Sequence, residues 1–159
     1  MTATDVVSVV TQHHAELQAA LTARVEAVVG AARDGRAYEP AVAELRALLA
    51  ADIVPHALAE EEVLYAAATA DALRPLVSGM CFEHETILDL AARLGSVPTG
   101  VDAAVVAQAL LEVFTGHVRR ENDLLLPALA TDPAVDLEAL LPRMHARFSA
   151  HRDAARSLR

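Results

Sequence analysis

An all-α fold, an up-down-up-down four-helix bundle with an additional C-terminal helix, is predicted by three features of the sequence. Ala, Leu and Val dominate while aromatic residues make up only 3%, a balance that favours helix over sheet. Turn-forming residues fall at a few well-separated places: Asp34-Gly35 with Pro40, Asp71 with Pro75, Gly95 to Gly100 around Pro98, and Asp132-Pro133. Between them, apolar residues recur in alternating steps of three and four, the period of a helix with one buried face.

These breaks place helix A at about 4–32, B at about 40–69, C at about 72–94 and D at about 101–129, followed by a segment from 133 to about 157 that Pro142 interrupts or kinks. Asp102 and Asp132 read as N-caps and Gly95 as a C-terminal stop. Short connections between long helices favour antiparallel neighbours. The 159 residues, 16.8 kDa, suit one domain spanning 1–159, with the bundle over about 4–130.

Charge narrows the function. Acidic residues outnumber basic ones 22 to 13, giving a net charge of -9, which opposes binding to nucleic acid or anionic lipid. A single Cys81 makes no internal disulfide, and the N-terminus lacks the basic-then-apolar pattern of a secretory signal, so a cytoplasmic protein is expected. Charge, Pro or Gly breaks each apolar stretch, so no window of about 18–20 residues reads as a membrane span.

The seams carry the chemistry. On A the buried face reads Val7, Val10, His14, Leu17, Leu21, Val28; on B, Leu45, Leu49, His56, Glu60, Val63, Ala67; on C, Leu73, Val77, Met80, His84, Ile87, Ala91, Leu94; on D, Val106, Leu110, Phe114, His117, Glu121, Leu124, Ala128. Each is interrupted at mid-length by His, or by His with Glu one turn later. Removing one partner from a buried charge pair costs about 3–5 kcal/mol, and a whole domain is stable by only about 5–15 kcal/mol. Four imidazoles and two carboxylates in one slab therefore need a neutralising partner, and metal ions bind both donor types directly.

The halves also repeat. Each supplies a helix with one seam His and then an H-x-x-x-E pair, and HALAEEEVLYAAA aligns without gaps on HVRRENDLLLPAL. The repeat predicts two ions: His14 and His56 on one, His84 and His117 on the other, Glu60 and Glu121 bridging, with positions left open for exogenous ligands.

Taken together, DVVSVVTQHHAEL, HALAEEEVLY, EHETILDL and HVRRENDLLLPAL, over about residues 5–130, resemble the haemerythrin-like proteins, the HHE cation-binding domain. The resemblance implies a non-haem, oxo- or hydroxo-bridged di-iron centre that binds O2 or related small molecules, held by His14, His56, Glu60, His84, His117 and Glu121. Manganese or zinc could replace iron. Oxygen-carrying members have a further His one turn from the third-helix ligand, where this chain has Met80 and Leu88 on either side of His84. That departure weakens the reversible-carrier role and turns the expectation toward catalase-like turnover of H2O2 or other oxidative chemistry, with O2 or NO as further ligands. A non-enzymatic iron or oxygen sensor, or a storage module, is the competing reading.

An apolar pocket near the ions is expected from Val10, Leu17, Met80, Ile87, Leu88, Val113 and Phe114. Continuing the seam through Val10 and Leu17 selects His14 over His13. His145 and His151 read as surface residues of an Arg-rich amphipathic segment, Cys81 as a small buried hydrophobe, and Tyr65 as packing at the core or rim. Glu61, Glu62, Glu83 and Glu85 flank the ligands off the seam and read as outer-face residues, any of which can reach back to an imidazole N–H.

Overall fold

The structure is a computed structural model that describes residues 2–157. Helix α1 spans Ala3–Arg33. The second rod is composite: α2 (Glu39–Leu48), a π-helical stretch Leu49–Ile53, α3 (Val54–Ala59) and a second π-helical stretch Glu60–Tyr65. A 3-10 turn, Asp71–Leu73, leads into α4 (Arg74–Arg93). The fourth rod comprises α5 (Gly100–Arg120), a π-helical stretch Glu121–Leu125 and α6 (Leu126–Thr131), and α7 (Leu137–Ser157) is the last element described. No strand occurs among the described residues, so the all-α bundle with an extra C-terminal helix is what forms.

Local chemistry sets the ends. Thr2 and Asp5 form a reciprocal capping box, with the Asp5 N–H donating to Thr2 Oγ1 at 3.2 Å and the Thr2 N–H to Asp5 Oδ2 at 2.7 Å. At the other end of α1, Gly35 takes φ 63° and lets the Arg36 N–H reach the Ala31 carbonyl at 2.9 Å, a Schellman closure that needs glycine's freedom. The two Asp caps read from the sequence are displaced. Thr99 caps α5 by accepting the Asp102 N–H at 3.1 Å, leaving Asp102 in the first turn. Asp132 accepts the Ala134 N–H at 2.9 Å in a turn, while Asp136 accepts the Ala139 N–H at 3.1 Å at the start of α7. Helix α7 thus begins at Leu137 rather than 133, and Pro142 lies inside it without breaking it.

Two π-helical stretches have a visible cause. Proline lacks an N–H and its ring clashes with the carbonyl four residues back; Pro55 follows Leu49–Ile53 and Pro127 follows Glu121–Leu125. Widening the preceding turn accommodates the ring. Glu60–Tyr65 has no such proline, and nothing in its sequence accounts for it.

Helix α1 packs against α2 and α5, and α4 packs against α5. The bonds Gln18–Thr115 and His14–Asn122 run in opposite sequence sense, as antiparallel neighbours require. Helix α7 lies along the second rod and the end of α1. The core is two clusters. One gathers Leu17, Leu21, Leu45, Ile53, Ile87, Leu110 and Phe114; the other gathers Val10, Val63, Leu64, Met80, Leu125, Leu140 and Met144. Along every rod the seam His and Glu residues fall between members of the two. The fourth rod, Gly100–Thr131, is long and apolar enough by composition to cross a membrane, contrary to the sequence expectation. Its Ala103, Val106, Ala107, Leu110 and Phe114 are buried in the bundle.

Candidate metal centre

Between the clusters lies a polar layer of His14, His56, Glu60, His84, His117 and Glu121, each at most 5% exposed. Glu60 is at its middle. Its Oε1 is 3.1 Å from His14 Nε2 and 2.8 Å from His56 Nε2, and its Oε2 is 3.6 Å from His84 Nε2. Glu121 Oε2 lies 3.5 Å from both His14 Nε2 and His117 Nε2. Donor atoms within 4.8 Å of one another form two groups that share Glu60: His14, His56, Glu60 and Glu121, and Glu60, His84 and His117.

The rings are aimed from behind. His14 Nδ1–H donates to Asn122 Oδ1 at 2.7 Å, His84 Nδ1–H to Glu61 Oε1 at 2.8 Å and His117 Nδ1–H to Glu83 Oε2 at 3.1 Å. Arg120 pairs with Glu83 in turn. A carboxylate or amide oxygen can only accept, so the proton sits on Nδ1 and the Nε2 lone pair turns inward.

That arrangement is unfavourable without cations. His84 Nε2 and His117 Nε2 face each other at 3.0 Å, and two inward lone pairs repel unless a proton or metal lies between them. Glu60 Oε2 and Glu121 Oε2 are buried with no hydrogen-bond partner, and buried His56 Nε2, though close to Glu60 Oε1, is not aligned to bond it. For protons alone the layer is frustrated. Burial opposes charge on Glu60, yet His56 and His14 outweigh it and hold its carboxyl well below the usual range. Burial and the Glu60 charge push Glu121 well above it. Burial also opposes a charge on His14, but the Glu60 contact prevails and raises it, whereas burial drives His117 down to about 3. Two carboxylates this close do not both ionise without added positive charge. The mixed imidazole and carboxylate set, orphaned at three buried atoms, fits metal ions.

Tyr65 is the residue the sequence reading undervalued. Its hydroxyl donates to Glu121 Oε1 at 2.6 Å and lies 3.3 Å from His117 Nε2. On a regular α-helix, at about 100° per residue, Tyr65 would sit about 140° away from Glu60. The π-helical stretch, which repeats every five residues rather than four, brings it onto the ligand face.

Among the flanking acids, Glu61 and Glu83 orient imidazoles, while Glu62 instead reaches α7 through Arg147 and His151, at 3.1 and 3.0 Å. Asn122 and Arg120 escaped the sequence reading, although Asn122 follows Glu121 as Glu61 follows Glu60. Of the expected pocket residues, Val10 and Met80 pack in one core cluster, Leu17, Ile87 and Phe114 in the other, with Val113 against it. Leu88 is 43% exposed, because the four-residue step that keeps Glu60 beside His56 carries Leu88 off the narrower buried stripe of α4. The cavity beside the layer is lined by Val10 and by residues of α3 and α7. His13 stays outside the layer, its ring 5.0 Å from that of His56.

Fold and layer together define a metal-binding helical bundle. The family model of the haemerythrin HHE cation-binding domain matches residues 5–129, and the chain belongs to that family. No curated protein and no solved structure matches it.

Proposed function

We propose that the layer holds a non-haem di-iron centre that binds O2, H2O2 or NO and disproportionates peroxide. The observation that carries this reading is the pair of donor groups joined at Glu60, which would suit two ions side by side. In this reading His14, His56, Glu60, His84, His117 and Glu121 would hold the ions, Glu60 belonging to both donor groups and Glu121 to the first. Nitrogen and oxygen donors suit iron, with manganese or zinc competing for the same atoms.

Held there, an iron pair would supply a store of two electrons. In catalase-like turnover one H2O2 takes up two electrons and two protons to give two waters, and a second H2O2 releases two electrons and two protons to give O2. The protein supplies the setting. Tyr65 keeps its proton at the phenolic oxygen, because burial and the two carboxylates raise its pKa, and presents it to Glu121. Glu61, Glu83 and Asn122 fix the rings, and the two apolar clusters keep bulk water from the layer.

Metal analysis of protein purified without chelators, beside its visible spectrum and an oxygen electrode, tests the reading. Two irons per chain, oxo-bridge absorption and O2 release on peroxide addition are expected. Protein that stays metal-free after anaerobic addition of ferrous iron overturns it. A second reading, an iron sensor, draws on the position of the layer between the two core clusters, where occupancy would govern stability. A large rise in Tm with iron, without peroxide turnover, selects the sensor.

A further inference from the structure

Helix α7 does more than cover the second rod. Between α1, α3 and α7 lies a cavity of about 150 Å³ walled by Val10, Ala59, Leu141, Met144 and Phe148, with the imidazoles of His56, His13 and His145 completing it. His13 bridges the two sides, its ring edge-on to His56 at 5.0 Å and to Phe148 at 5.8 Å. Of the six layer residues His56 alone lines the cavity, so whatever fills it lies beside that imidazole.

The size and the walls limit the occupant. A water molecule takes about 30 Å³ of liquid, and a space of about 150 Å³ matches a molecule of benzene's size. Diatomic oxygen or H2O2 leaves most of this space unused. The imidazoles of His13 and His56 stand together on one side, while on the other α7 supplies Leu141, Met144 and Phe148, with His145 among them. A matching molecule has one polar end and a compact apolar body.

We propose that this cavity is a binding pocket for short, branched alkyl hydroperoxides, the alkyl group against α7 and the hydroperoxide end toward the imidazoles. The inference rests on the peroxide reading of the metal centre and names a further substrate class for it. The alkyl hydroperoxide replaces H2O2 in the reductive half: its O–O bond breaks, and with two electrons and two protons ROOH becomes ROH and H2O. H2O2 supplies both by oxidation to O2, so that ROOH + H2O2 gives ROH + H2O + O2.

The test separates binding from turnover. Binding of tert-butanol, the redox-inert counterpart of tert-butyl hydroperoxide, is followed on the as-isolated protein by saturation-transfer NMR. Turnover of tert-butyl hydroperoxide, cumene hydroperoxide and H2O2 is measured on the same preparation. Saturable tert-butanol binding is expected, weakened about tenfold or more in Met144→Trp, which fills the pocket. The kcat/KM ratio of tert-butyl hydroperoxide to H2O2 should fall by about the same factor. Phe148→Ala, which enlarges the pocket, should raise the preference for cumene over tert-butyl hydroperoxide and keeps the test open should Met144→Trp fail to fold. Absence of saturable binding to the folded wild-type protein, or equal binding by Met144→Trp, overturns the proposal. Binding that follows the expected pattern without turnover of any peroxide supports the pocket and refutes the peroxide reading of the metal centre.

Discussion

In the first half of the bundle, His14 is held from behind by the Asn122 amide, and His56 has the His13 ring beside it. In the second half, His84 is held by Glu61 and His117 by Glu83, both carboxylates. The positions correspond. Glu61 and Asn122 each follow a layer glutamate, and His13 and Glu83 each precede a lone seam histidine. The donors therefore repeat while their supports do not. A carboxylate behind an imidazole makes it a stronger donor than an amide or a second ring does, so the His84/His117 side is the more electron-rich end of a nearly symmetric layer. Tyr65 adds a second asymmetry. Its counterpart in the repeat is Leu126, so Glu121 receives a phenol hydrogen bond at 2.6 Å and Glu60 receives none.

The largest break in this comparison comes from Glu60, the one residue common to both donor groups. Glu60→Ala should empty the whole layer and cost the metal-loaded protein about 3–5 kcal/mol in chemical denaturation. Glu121→Ala should retain more metal by elemental analysis, and equal losses would erase the distinction between the carboxylates.

Acid should expose the second half next. In the metal-free protein, burial holds His117 down to about 3 while an unfolded His titrates near 6.5. Between those values the unfolded chain binds the extra proton, so this contribution to stability is lost as pH falls from about 6.5 toward 3. Melting of the metal-free protein from pH 7 to 4 should show that slope, flattened in His117→Gln. The raised His14 acts oppositely: its contribution is present below about 6.5 and is lost as pH rises through its folded value.

Supports come third. Glu83→Gln should weaken metal binding about ten- to hundredfold in chelator competition, and His13→Ala should weaken it less. If the two are equal, the carboxylate support has no special role. Smallest is Tyr65→Phe, which leaves Glu121 without its donor at a cost of about 1–3 kcal/mol. A Tm shift no larger than that of Tyr38→Phe, whose hydroxyl reaches only the Val97 carbonyl at 3.3 Å, would show the phenol bond to be dispensable.

What could be read from sequence follows from which features keep the α-helical period. His14 and His84 stand on regular helices, and His56/Glu60 and His117/Glu121 are single four-residue steps, so counting along the seam placed all six in one layer. Tyr65 was lost because the count assumed an unbroken α-helix through a stretch where the turn is wider. Asp102 and Asp132 misled because Asp suits caps, first turns and loop turns alike, and only the backbone path distinguishes them. The cavity beside His56 needed α7, whose docking site no local period encodes.

The division of the core also sets an order in time. Every member of the cluster around Leu21 and Phe114 has been made by Val118, whereas the cluster around Val10 and Val63 is incomplete until Met144. A chain synthesised from its N-terminus thus carries every member of the first cluster while α7 is still to be made.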